Sequence, residues 1–262
     1  MEITEVDKLK ANKSLKTAEN IIMLVTAIAS IAGMVLTFVL VNVGVMDRIV
    51  LPIVTCISSI TGVVSSVYLG RFSILGQWLM LVSVILFGAA ALWFGWWGLA
   101  IYYLLFRAPY TISAIVKWKN STLHPDKSKQ LTKKNWLVTS GLVVAGTILI
   151  GAALWLLNYL LSANVLNASY EAITSLTGSA IFAAGLEALM IVLQITALIL
   201  TKKMYDETWI FWMIANAVSI AIWTVTTILL GDDGFSGIII IIMSIGFFAT
   251  NVTGIYRWKK DI

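Results

Sequence analysis

The sequence predicts an all-α integral membrane protein of eight transmembrane helices: one extra N-terminal helix, then two parallel three-helix units joined by a connecting helix. Three observations carry that expectation. Hydrophobic residues make up 60% of the 262 residues and charged ones 12%, which leaves too little polar surface to coat a water-soluble globule. The chain offers eight apolar runs, each near the ~20 residues that a helix needs to cross a bilayer core. Two helix-ending tails also look like copies of one another, Ile115-Val116-Lys117-Trp118-Lys119 and Ile255-Tyr256-Arg257-Trp258-Lys259. Each closes an apolar run with Trp among basic residues, as a membrane helix does at its cytoplasmic exit.

Taken in order, residues 1–19 are polar and basic and contain no apolar stretch or small-residue cleavage site, so they are expected to stay as a cytoplasmic segment. The run 21–46 is the extra helix, within residues 20–48. Runs 49–69, 74–96 and 98–116 form the first unit (49–118), its last two helices parted by Trp93-Phe94-Gly95-Trp96-Trp97-Gly98. The glycines break the helix there and clustered Trp favours the headgroup region, so this reads as a tight turn. Residues 119–136 are a basic cytoplasmic linker, and 137–160 is the connecting helix, with an outer loop to 171. Runs 172–200, 209–230 and 235–256 form the second unit (172–262).

Charge placement tests the count. With both termini inside, the inner segments hold the lysines of residues 8–16, Arg71, the linker lysines, Lys202, Lys203 and Arg257, while the outer loops hold only Arg48. Removing any one span would invert every later loop and put basic clusters outside, against the positive-inside rule. The net charge of +5 follows from this bias and from a lipid-facing basic fringe, and it needs no nucleic-acid partner. An odd connecting helix is what two parallel triplets require, an architecture known from the SWEET transporters. Such a core places a substrate site near mid-membrane between its halves.

Several kinds of chemistry find no support. Cys56 is the single cysteine and His124, beside Pro125 in the linker, the single histidine; neither has partners for an internal disulfide, a metal site or catalysis. No H-E-x-x-H, G-x-S-x-G or P-loop pattern appears. An enzyme is not expected, nor a metal or cofactor. A receptor or scaffold without transport stays open, although it would need a soluble module larger than the linker.

Polar groups within the spans mark the candidate site. Along the seventh run, Trp209, Trp212, Asn216, Ser219 and Trp223 fall within an arc of roughly 80° at about 100° per residue. Trp209 alone reads as an interfacial anchor beside Lys202-Lys203, whereas Asn216 lies roughly 10 Å into the helix and must face protein or a cavity. Helix glue is its other reading. Glu187 and Gln194 share a face of the sixth helix, as do Ser244 and Asn251 on the eighth. A mid-bilayer carboxylate must be paired, protonated or solvated by a cavity, and Arg107 in the fourth run, the only basic residue at comparable depth, suggests a structural Glu187–Arg107 pair, with substrate contact by Glu187 as the second reading. The stripes Thr26, Ser30, Gly33, Thr37 and Thr55, Ser58, Gly62, Ser65 suit close helix packing. Stacked indoles with Asn and Gln amides suit a flat polar heterocycle, especially a cationic one.

The stretch Trp209-x-x-Trp212 with Asn216 four residues on, preceded by Thr201-Lys202-Lys203, resembles the signature of the Pnu family of bacterial vitamin transporters, most nearly its nicotinamide riboside carriers. The closing Asn251-x-x-Gly254-x-Tyr256-x-Trp258-Lys259-Lys260 is similar to that family's last helix. The likeness covers the chain from about residue 49 onward. It implies a SWEET-like homotrimer in the bacterial inner membrane that facilitates diffusion of nicotinamide riboside without ion or ATP coupling, uptake being made one-way by phosphorylation inside the cell. Carried over, Trp209 and Trp212 flank the nicotinamide ring and Asn216 meets its carboxamide, with Gln194, Asn251 and Glu187 as weaker substrate-binding candidates. Thiamine and riboflavin carriers belong to the same family, and stacking does not separate their planar rings from nicotinamide. Arg107-Ala108-Pro109 stands where the second unit has Phe247-Phe248-Ala249, so the halves are not chemically equivalent.

Overall fold

A computed structural model describes residues 5–40, 49–93, 100–120, 129–161, 168–230 and 235–260. Arg48, the turn at 94–98 and residues 121–128 of the basic linker, His124 among them, lie outside the described residues. Within them, seven helices are long and apolar enough to cross a membrane. The first, α1 (Glu5–Leu40), runs without a break through the boundary expected near residue 20, because residues 5–19 are mostly good helix formers with no Gly or Pro. Then α2 (Leu51–Gly70) and α3 (Ile74–Trp93) form a hairpin. Its turn places Phe72 at φ 54, uncommon for a bulky residue, with the ring stacked on Trp258 at 4.6 Å.

The fourth run departs from a plain helix. Tyr102–Arg107 is π-helical and continues into α4 (Ala108–Asn120). Pro109 has no N–H to offer the preceding turn, and a wider turn absorbs that loss: the Ala108 N–H donates to the Tyr103 carbonyl five residues back. With the helix divided in this way, the run is not one of the seven.

Next come α5 (Lys133–Leu161), α6 (Ala168–Thr177) and α7 (Ala180–Lys203). The sixth run, expected as one helix, splits at Gly178, whose φ of 68 ends α6 in the left-handed conformation glycine allows. Ser179 restarts the helix by accepting from the Phe182 N–H at 3.2 Å, an N-cap. Met204, at φ 58, closes α7 with its N–H on the Leu200 and Thr201 carbonyls. Then α8 (Thr208–Leu230) and α9 (Phe235–Lys260) complete the order.

Helix α2 packs on α3, α1 and α9; α7 packs on α8, α5, α6 and α4; α8 and α9 pack together, and α3 packs on α4. The small-residue stripes lie in these seams as expected. Ser30 and Ser59 exchange a hydrogen bond at 2.9 Å, Ser58 donates to the Ser83 carbonyl at 2.9 Å, and a side-chain carbon added at Gly62 would meet Phe247 at 2.8 Å. The two indoles that close the matching tails, Trp118 and Trp258, are both buried, and Phe72 of the α2–α3 turn stacks on Trp258. On that same end, burial and the nearby charges of Lys129, Lys202 and Lys203 push the Lys117 ammonium below its ordinary value.

One buried acid ties α1 to the ends of α2 and α9. Glu19 of α1 is 1% exposed and bridges Arg71, just past α2, at 2.7 Å and Arg257, near the end of α9, at 2.9 Å. Arg257 also donates to Asn12 at 3.2 Å.

Candidate functional site

A cavity opens within the helix bundle, and each of α2, α3, α7, α8 and α9 and the π-helical turn contributes to its wall. The gap between these side chains is a slot of about 540 Å³, its open side included. Five of the six expected site residues, Trp209, Trp212, Asn216, Gln194 and Asn251, line it together. Glu187 does not. It is 3% exposed on α7, outside the cavity wall, with its Oε1 unpartnered.

Each lining residue is held differently. Trp209 is 2% exposed and so is not an interfacial anchor; it meets the Trp258 ring edge-on at 5.4 Å. Gly254 lets the indole in, since a carbon added there would lie 2.6 Å from the ring. Gly254→Ala is therefore expected to displace Trp209, costing about 1–3 kcal/mol by overpacking and narrowing the slot. An unchanged melting temperature would show that the ring has room to move.

Trp212 donates from Nε1 to the Thr201 hydroxyl at 3.3 Å. Thr201 in turn shares a hydrogen bond with Thr208 at 2.6 Å, so the Thr201-Lys202-Lys203 stretch positions the second indole of Trp-x-x-Trp. Asn216 donates to the carbonyl of Trp212 at 2.8 Å. This bond stays within α8, so the amide is not glue between helices, and its oxygen remains available to the cavity. Asn251 is 2% exposed and its Nδ2 has no partner. An amide donor buried without an acceptor costs on the order of 1–3 kcal/mol, and here it belongs to a residue of the cavity wall. Ser219 and Ser244 bond each other across α8 and α9 at 3.0 Å. Trp223, the third indole on the seventh-run face, lies outside the wall and packs near Gly237.

Arg107, which its depth suggested as the partner of Glu187, lines the cavity instead. No ion pair joins it to Glu187. The guanidinium instead donates to the Gln194 side-chain oxygen at 3.2 Å and to the Met80 sulfur at 3.4 Å. It also lies 4.9 Å from the Trp212 ring and 5.1 Å from the Tyr103 ring. Arg107 stands at the end of the π-helical turn, Tyr102–Arg107, whose wider winding shifts side-chain directions relative to a regular helix. Tyr103, Met80, Ser66, Met243 and Phe247 also line the cavity. No sequence signal separated them from ordinary core, except that Tyr103 stands one turn before Arg107. Among the described residues, no group of His, Cys, Asp or Glu could hold a metal ion.

Comparison with known proteins gives one family and two relatives. Residues 52–260 match the model of the nicotinamide mononucleotide transporter family. The nicotinamide riboside transporter PnuC of Neisseria mucosa is 24% identical over 213 residues, spanning 78% of this chain and 71% of its own. The crystal structure of the vitamin B3 transporter PnuC superposes with a TM-score of 0.61 at 20% identity, covering 90% of this chain and 91% of that one.

Proposed function

The chain belongs to the nicotinamide mononucleotide transporter family, and from that premise we propose that it is a facilitated-diffusion carrier for nicotinamide riboside. The single observation that carries the substrate class is the slot itself. Trp209, Trp212, Asn216, Gln194 and Asn251 line one narrow cavity, with an indole face for a pyridinium ring, and the unpartnered Asn251 Nδ2 with the amides of Asn216 and Gln194 for a carboxamide and ribose hydroxyls. A mononucleotide fits this lining less well, because its phosphate would find Arg107 as the one basic group among the described lining residues, already engaged by Gln194 and two aromatic rings.

The two-unit arrangement is part of the proposal. In each triplet the first helix packs on the second and the second on the third, while the first helix of each packs on the last of the other, α2 on α9 and α7 on α4. A left-handed, non-glycine residue follows the first helix of both triplets, Phe72 and Met204, and a buried indole, Trp118 or Trp258, stands near the end of both. These recurrences support a parallel 3+1+3 core with the broken fourth helix as an eighth span. The gathering of Lys117, Lys129, Lys202 and Lys203 supports one basic, cytoplasmic face carrying both termini. Assembly as a homotrimer in a bacterial inner membrane, and trapping of the imported nucleoside by phosphorylation, complete the reading.

Proteoliposomes decide it. Saturable uptake of labelled nicotinamide riboside with no ion gradient or ATP is the expected result, with weak competition by nicotinamide mononucleotide. Uptake that follows thiamine or riboflavin instead would overturn the substrate, accumulation against a gradient would make the protein a symporter, and no flux at all would return it to a scaffold.

A further inference from the structure

The cavity already contains a cation, in the place a substrate ring would need. The Arg107 guanidinium lies 4.9 Å from the Trp212 ring and 5.1 Å from that of Tyr103, the geometry in which an aromatic face attracts a positive charge. Its hold is weak for a charge at this depth. It donates to an amide oxygen and a thioether sulfur and bonds the Tyr103 hydroxyl, all uncharged groups; its Nε has no partner, and it forms no ion pair. A guanidinium buried without a carboxylate is costly, so this position is poised to exchange for a better one.

The better one is present on the same helix that now holds it. Glu187 and Gln194 are seven residues apart on α7, one face and about 10.5 Å of rise, and the π-helical turn carrying Arg107 packs against α7. Glu187 is buried, with an oxygen that accepts from nothing. The π-helical turn and Pro109 supply backbone that is not locked into regular helix bonding. We propose that Arg107 is a displaceable cation that determines specificity: it covers Trp212 in the empty cavity, leaves when a planar substrate stacks there, and passes to Glu187. Gln194 is then released to bond the substrate. The inference rests on the carrier reading above only in requiring a planar ring on Trp212, and not on which vitamin bears it.

Isothermal titration on purified protein tests it, with nicotinamide riboside and thiamine as the two planar cations. Arg107→Gln keeps a partner for Gln194 and removes the competitor, so the ligand that binds the unaltered protein is expected to bind about tenfold tighter, near 1.4 kcal/mol. Glu187→Gln removes the receiving carboxylate and is expected to weaken binding about tenfold. In the double variant, Glu187→Gln is expected to add nothing, a coupling that two independent structural roles would not produce. Weaker binding by Arg107→Gln would mean that the guanidinium holds substrate directly and would overturn the proposal, as would additive effects in the double variant. Where Arg107→Gln does not purify, Glu187→Gln decides alone: unchanged affinity sinks the proposal. Binding of thiamine without nicotinamide riboside would remove the substrate assignment but leave this comparison intact, read with thiamine.

Discussion

Trp212→Ala is expected to weaken nicotinamide riboside binding by roughly thirty- to a hundredfold, the largest effect of any single change in the cavity. Stacking of a base-like ring on an indole is worth about 1–3 kcal/mol, and a desolvated cation over that face adds to it. Trp212 is only partly buried, and its indole is oriented by Thr201. Truncating it therefore removes contact area without opening the packed core, and the melting temperature should stay close to that of the unaltered chain. Trp209→Ala should behave differently. Its ring fills the space between Gly254 and Trp258, so its loss leaves a core cavity and costs about 3–5 kcal/mol of stability. Calorimetric binding beside a thermal melt separates the two. Equal and negligible effects on binding would remove both indoles from the site.

The contrast between these tryptophans marks how far sequence reaches in a membrane protein. The 100° period places Trp209, Trp212 and Asn216 on one face, and hydropathy delimits seven of the helices that surround them. Which neighbour each side chain meets is settled by close approaches in three dimensions. Trp209 looks like an anchor because it sits beside Lys202-Lys203, yet Gly254, 45 residues later in the chain, admits its indole to the core. Glu187 and Arg107 look like partners because each is the lone charge of its sign at that depth. Arg107 stands at the end of the π-helical turn before Pro109 and donates to Gln194 instead, and a pattern search at fixed period does not register such a turn. Glu19 escaped notice for a related reason, because it ends a polar segment and resembles any other soluble residue until Arg71 and Arg257 fold onto it.

That carboxylate makes the second large prediction. Glu19→Ala is expected to lower stability by roughly 3–5 kcal/mol, the range for breaking a buried ion pair by removing one partner. Glu19 accepts from Arg71 at 2.8 Å and from Arg257 at 2.9 and 3.0 Å, so its loss removes the carboxylate that both guanidinium groups share. Glu19→Gln should fall between the alanine variant and the unaltered chain, because an amide can still accept one of these bonds but cannot neutralise them. The same reasoning assigns work to α1, which lies outside the stretch matched by the family model, residues 52–260, although Arg71 and Arg257 lie inside it. A chain trimmed to start at residue 49 is therefore expected to purify poorly even though its predicted substrate cavity is complete. Replacing Arg71 and Arg257 by Met in that trimmed chain should recover part of the lost stability, since apolar groups of similar volume often replace buried ion networks without penalty. Should the trimmed chain or Glu19→Ala melt at the same temperature as the unaltered protein, the bridge from α1 to the ends of α2 and α9 would be decoration, and α1 an appendage.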